Sequence, residues 1–176
     1  MKELKGDMFK MNAEVLCITT NGFVKQNGDA VMGMGCAKRF KEMYPKAPTL
    51  LGKSITLRGN VVSKLGESKK KGTVFCSFPV KRAFVINDGN NVVSHARKKF
   101  AVGSLVPGFY AKAELEVILE SCRKIVHLAD TEGYKNVVIP RMGCGAGELS
   151  WKEVKPLVEK ILDDRFTVVT FLGDHT

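Results

Sequence analysis

Ile139-Pro140-Arg141-Met142-Gly143-Cys144-Gly145-Ala146-Gly147-Glu148-Leu149-Ser150-Trp151 joins an apolar strand to an amphipathic helix through a loop with three glycines in five residues. Such a loop brings backbone N–H groups close to whatever binds at the helix N-terminus, and that arrangement suits phosphate. Residues 136–140 before it read as a buried strand. After it, Ser150-Trp151-Lys152-Glu153 has the spacing of a capping box. Val154, Leu157, Val158, Ile161 and Leu162 then share an apolar helix face. Pro156 falls where a helix hydrogen bond is lost, so the helix either begins later than Ser150 or kinks there. Residues 166–172 read as the final strand.

A second unit of the same logic lies near the N-terminus. Val15-Leu16-Cys17-Ile18-Thr19-Thr20 is a nearly continuous apolar run, as expected of a strand buried on both faces. Asn21-Gly22 ends it. A loop with Gly28, Gly33 and Gly35 follows, then a helix in which Ala37, Phe40 and Tyr44 share a face before Pro45 stops it. Two glycine loops facing one crevice suit a diphosphate better than a single phosphate. Neither loop is a P-loop, and neither has the G-x-G-x-x-G spacing of a dinucleotide fold.

Around these units, residues 2–5 read as a strand, and so do 54–58, 60–65 and 73–79, with a hairpin turn at Gly59-Asn60. Residues 114–131 form the clearest helix: Leu115, Ile118, Leu119, Cys122, Ile125, Val126 and Ala129 keep helical spacing, and Gly133 ends it. Residues 84–111 are the least regular part, with room for a short helix over 92–100. A connection this long in a compact domain is functional or mobile. The pattern predicts one α/β domain over 1–176, a central mixed sheet with helices on both faces, and ligands beyond the carboxyl ends of the strands.

The totals fit. The chain has 176 residues, 44% of them apolar and 26% charged. No run approaches the roughly 18 apolar residues of a membrane span, and the N-terminus lacks a signal core. A protein that stays in the cytoplasm, off the membrane, is expected. Five scattered cysteines argue for buried thiols rather than disulfides or zinc. No metal or cofactor is expected. The net charge of +10, with clusters at Lys69-Lys70-Lys71 and Arg97-Lys98-Lys99, fits either a solvated lysine surface or attraction to a polyanion.

The chain resembles a macro domain, the ADP-ribose-binding α/β fold of three layers. Gly6-Asp7-Met8 is similar to the family's early Gly-Asp-apolar motif. Asn21-Gly22 with 28–37 resembles its first ligand loop, and 140–147 its diphosphate loop. Within the family, Phe78-Pro79-Val80-Lys81-Arg82 resembles the Phe-Pro-Thr-Lys segment of the branch that holds terminal ADP-ribose protein glycohydrolases and DNA ADP-ribosyl glycohydrolase antitoxins. The resemblance implies ADP-ribose, or a macromolecule carrying it, as the partner. It implies Lys81 as the catalytic amine that attacks or polarises the distal ribose. Asp7 would accept from the adenine amino group, with Met8 beside it, and Phe171 or Leu172 would touch the adenine. Asn21, Gly33, Met34 and Gly35 would meet the distal ribose and diphosphate. Gly143, Cys144, Gly145, Ala146 and Gly147 would bind the diphosphate. Trp151 reads as packing, Asp29 as an acid–base candidate ranked below Lys81, and the three histidines suggest no site.

Gly147 stands where the protein-directed branch carries aspartate, which tilts the expected substrate toward DNA. Removal of ADP-ribose from a macromolecule is the leading expectation. A non-catalytic ADP-ribose reader, an ADP-ribose 1″-phosphate phosphatase and a plain nucleic-acid-binding domain are the alternatives.

Overall fold

A computed structural model describes residues 1–69 and 71–170. Six strands form one sheet in the order β1-β8-β7-β2-β4-β3. They are β1 (Lys2–Lys5), β2 (Val15–Thr20), β3 (Ser63–Glu67), β4 (Val74–Pro79), β7 (Val137–Pro140) and β8 (Phe166–Thr170). All neighbours pair parallel except β3 with β4. Helices α1 (Gly35–Met43), α2 (Ala47–Arg58), α3 (Leu115–Glu132) and α4 (Trp151–Val158) complete the layers. The expected α/β architecture is what the chain adopts. No helix among the described residues is long and apolar enough to cross a membrane.

The period-two geometry of the strands divides the core between the two faces. Val15, Cys17, Cys76, Phe78, Val137 and Ile139 point to the side covered by Ile118, Cys122 and Ile125 of α3 and Val154 and Val158 of α4. Leu16, Ile18, Phe75, Val138 and Val169 point to the side covered by Ala37 and Phe40 of α1 and Leu51 of α2. Burial pushes the Cys76 and Cys122 thiols up to about 12, and the Cys17 thiol well above its ordinary value, so they remain inert packing groups. All five cysteines are free.

Four expectations need correction. Residues 54–58 are the last turns of α2, not a strand. Ala47, Leu51 and Ile55 repeat every four residues, Pro48 sits in the first turn, and Gly59 closes the helix at φ 82° instead of turning a hairpin. The strand-like run Ser54-Ile55-Thr56 masked that pattern, because β-branched residues favour strands only weakly against tertiary packing. The helix rests on the first glycine loop, where Ala30 donates its N–H to the Pro48 carbonyl. A methyl group on Gly52 would sit 1.9 Å from the Gly28 carbonyl oxygen. Alanine normally gains about 1 kcal/mol over glycine inside a helix. Gly52→Ala is instead expected to destabilise the fold by at least about 2 kcal/mol, measured by urea unfolding, because overpacking outweighs propensity.

Residues 84–111 are more regular than expected. They form an antiparallel ribbon of β5 (Phe84–Ile86) with β6 (Leu105–Pro107), and 3-10 turns at Ser94–Lys99 and Gly108–Tyr110. Val92, Val93, Ala96 and Val106 give the segment a small core of its own. Ser150 holds the N-cap position of α4 but makes no side-chain capping bond. The helix start is fastened instead by Trp151 Nε1 donating to Glu3 at 2.7 Å, with Lys155 bonded to the same carboxylate. Pro156 lies inside this eight-residue helix. The last strand is described to Thr170; Phe171 and Leu172 lie outside the described residues.

Candidate active site

Strands β8, β7, β2 and β4 are adjacent and parallel, so their carboxyl ends open on one side of the sheet. The loop after β2, the loop after β7 and the residues after β4 therefore meet over one cleft of about 430 Å³. Asn21, Gly33, Met34, Gly35, Lys81, Gly143, Gly145, Ala146 and Gly147 all line it. The two glycine loops and the lysine are brought together as the sequence implied.

The first loop is braced by Asn21. Its Nδ2 donates to the Val31 carbonyl at 2.9 Å and its Oδ1 accepts from the Phe23 N–H at 3.0 Å. Helix α1 starts at Gly35 (φ 55°) with no side-chain cap from Met34, leaving its first N–H groups for a ligand. The second loop closes through Glu148 N to Gly145 O and Leu149 N to Gly143 O, both 3.0 Å. Among the described residues, the N–H groups of Gly145, Ala146 and Gly147 meet no acceptor. Arg39 and Arg141 also line the cleft, and no aspartate or glutamate does among the described residues. The combination favours a diphosphate. Thr20 Oγ1 adds to the cleft wall a buried hydroxyl with no hydrogen-bond partner among the described residues.

Lys81 is the one buried lysine among the described residues, 5% exposed. Its backbone is held by Asn60, whose Nδ2 donates to the Lys81 carbonyl at 2.9 Å, and its Nζ donates to the Ala146 carbonyl at 2.9 Å. Burial lowers its pKa from 10.5 to about 8, against an opposing pull from the Glu148 carboxylate. An amine so placed is partly neutral near physiological pH and can act as a nucleophile.

Other predicted residues lie elsewhere. Asp7 and Met8 do not reach the cleft wall. Met8 is wholly enclosed in the core, and Asp7 accepts from the Phe9 N–H at 3.1 Å and from Arg39 Nη2 at 2.5 Å. Burial works to raise the Asp7 carboxyl, but these two donors outweigh it and hold it below its ordinary value. Asp7 thus reaches the site through Arg39. Cys144 turns its thiol to the Met142 carbonyl. Asp29 bonds Thr49 of α2 and lies off the cleft. Phe171 lies outside the described residues.

Sequence reasoning missed the wall supplied by residues 84–111. His95, Phe109 and Tyr110 line the cleft, with Phe109 and Tyr110 rings 4.6 Å apart and His95 edge-on to Tyr110 at 6.2 Å. Gly108 seats this wall: a methyl group there would fall 2.1 Å from the Arg82 carbonyl and 2.6 Å from that of Asn21. That glycine beside two aromatics was the one available signal. Among the described residues no cluster of His, Cys, Asp or Glu is arranged to hold a metal ion.

Comparison with known proteins agrees with this geometry. The chain is 26% identical over 161 residues to a DNA ADP-ribosyl transferase–DNA ADP-ribosyl glycohydrolase fusion protein of Thermosipho africanus, covering 90% of this chain and 38% of the fusion. It is 28% identical over 174 residues to the ADP-ribose glycohydrolase OARD1 of Bos taurus, covering 95% of this chain and 89% of that protein. Among solved structures it superposes on Thermosipho africanus DarTG in complex with ADP-ribose (TM-score 0.73, 22% identity, 99% of this chain and 43% of that one). It also superposes on the macrodomain of Thermus aquaticus DarG (TM-score 0.67, 21% identity, 97% and 96%). The macro domain profile matches residues 26–158. A match over well over half the chain, joined to the sheet order and the two glycine loops, places this chain in the macro domain family.

Proposed function

We propose that this chain binds ADP-ribose and hydrolyses it from a modified macromolecule, with Lys81 as the nucleophile. The observation that carries the reading is the buried Lys81 amine beneath the second glycine loop. The neutral amine attacks the anomeric carbon of the distal ribose and expels the attached base or carboxylate. Water then displaces the amine and frees ADP-ribose. The glycohydrolase names of the relatives support the reaction class.

DNA is favoured over protein as the carrier. A methyl group at Gly147 would lie 2.4 Å from the Gly143 carbonyl oxygen, so this loop has no room for a carboxylate side chain at that position. Arg97, Lys98 and Lys99 stand exposed on the turn that bears His95, placed to meet a phosphate backbone. Residues 1–176 act as one macro domain whose 84–111 segment faces the carrier.

The test is incubation with an oligonucleotide ADP-ribosylated on a base and a peptide ADP-ribosylated on glutamate, following free ADP-ribose. Release from the oligonucleotide in preference to the peptide is expected. Tight ADP-ribose binding with no release from either conjugate would identify a reader instead. Phosphate release from ADP-ribose 1″-phosphate alone would identify a phosphatase.

A further inference from the structure

Glycoside cleavage by an amine still needs proton traffic: the departing base must gain a proton and the attacking water must lose one. The cleft holds few groups able to serve. Its described lining contains no carboxylate, and its ionisable side chains are Cys36, Arg39, Lys81, His95, Tyr110 and Arg141. Guanidinium and phenol side chains are not of a class that exchanges protons near neutral pH, and burial raises the Cys36 thiol. Besides Lys81, only His95 belongs to a class that exchanges protons near neutral pH.

A loop carboxylate does not fill the gap. A Cβ at position 147 would meet the Gly143 carbonyl at 2.4 Å and the Ala113 Cβ at 2.6 Å. The next residue, Glu148, is acidic but engaged elsewhere. Its carboxylate accepts from the Ser94 N–H at 2.8 Å and the Ser94 hydroxyl at 2.9 Å. Glu148 is also the only non-glycine residue with positive φ (58°) among the described residues. That strained backbone is retained where it ties the second glycine loop to the residue before His95. The same loop receives the Lys81 ammonium at the Ala146 carbonyl, two residues from Glu148. Lys81 and His95 are thus fastened to one short stretch of chain.

Resting on the glycohydrolase reading, we infer that His95 is a second catalytic residue, the proton donor and acceptor that works with Lys81, and that Glu148 positions it through Ser94. In the first step the Lys81 nitrogen bonds the anomeric carbon and the bond to the base breaks. The electron pair leaves with the base, which takes the proton of the His95 imidazolium. In the second step neutral His95 accepts a proton from water as its oxygen bonds the anomeric carbon, and the Lys81 nitrogen departs with its pair. Both groups return to their starting states, and the net change is hydrolysis.

The charges around His95 come from every neighbouring element. Tyr110 lies edge-on to it, with Lys99 over the Tyr110 ring at 5.0 Å. Arg97 and Lys98 share its turn, Glu148 stands behind Ser94 with Lys112 and Arg97 near it, and Lys81, Arg39 and Arg141 line the same cleft.

The experiment measures release of ADP-ribose from the modified oligonucleotide by wild type, His95→Asn, Lys81→Ala, Glu148→Gln and the exposed helix variant His127→Asn, across pH 5.5–9.5, with ADP-ribose affinity in parallel. His95→Asn is expected to lose about 100- to 10,000-fold in kcat, with KM and ADP-ribose affinity within about threefold. The wild-type profile is expected to be bell-shaped, and that of His95→Asn a single rise through the Lys81 transition near pH 8. Glu148→Gln is expected to lose about tenfold while keeping the bell, as a positioning residue would. His127→Asn should match wild type. Wild-type rates and an unchanged bell in His95→Asn, with Lys81→Ala inactive, would overturn the His95 role and leave the glycohydrolase reading standing. Loss of ADP-ribose affinity in His95→Asn would make it a binding residue and overturn the role as well. A wild type that binds ADP-ribose but releases none from any conjugate would overturn both readings.

Discussion

Lys81→Met is expected to abolish turnover and at the same time raise the melting temperature. Removing the proposed nucleophile should lower kcat by at least about 1,000-fold, while ADP-ribose affinity changes by no more than about threefold, since on this reading the glycine loops bind the diphosphate. The stability gain follows from the sign of the pKa change. In the folded chain the amine titrates at about 8 rather than 10.5, so folding disfavours its protonated form. That penalty is fully present below about pH 8 and disappears as pH rises through 10.5. The gap corresponds to about 3 kcal/mol as a ceiling, and the lost bond to the Ala146 carbonyl subtracts from it. A gain of about 1–3 kcal/mol, roughly 3–9 °C, is expected at pH 7 and none at pH 10.5. Thermal melts at both pH values check it. A variant less stable than wild type at pH 7 would show that Lys81 is not held at a cost.

Gly147→Ala is expected to be the most damaging single-methyl change in the second glycine loop. Its Cβ would meet the Gly143 carbonyl and the Ala113 side chain at 2.4 and 2.6 Å, neither of which is a flexible chain end. Relief requires opening the loop, which also strains the 3.0 Å bond from the Ala113 N–H to the Gly147 carbonyl. ADP-ribose affinity should fall by at least about 100-fold, equivalent to about 3 kcal/mol, and stability by about 1–3 kcal/mol. Gly145→Ala is the control, because a Cβ there meets nothing within 4 Å. Its melting temperature should stay close to wild type. Equal affinity loss in both variants would mean that any side chain in the loop blocks the ligand, irrespective of packing.

These residues show why parts of the site were legible in sequence. A chain places glycine where φ is positive, as at Gly28, Gly35 and Gly143, or where backbone approaches backbone, as at Gly147, and clusters of such residues advertised the two loops. Nearly continuous apolar runs implied strands buried on both faces of a mixed sheet, and the parallel pairing of β2 with β7 puts both loops at the same end. The helix 47–58 was not legible because its strand-like run carried the local preference while contacts with the distant loop at 28–30 set the outcome. His95 and Tyr110 were not legible because an exposed histidine in an irregular segment has no local signature. Their place depends on Glu148, 54 residues from Ser94.

The sequence alone determined the sheet-and-helix plan and the two glycine loops, because each follows from short-range pattern or from a residue type that local geometry demands, while resemblance marked Lys81 as the candidate amine. Tertiary structure alone decided that Lys81 is desolvated beneath Ala146, that Asp7 holds Arg39 of the cleft wall, and that residues 84–111 turn His95 into the cleft. Those facts rest on contacts between residues 32 to 65 positions apart. Only the closed packing of the chain brings such residues together and sets the dielectric around them.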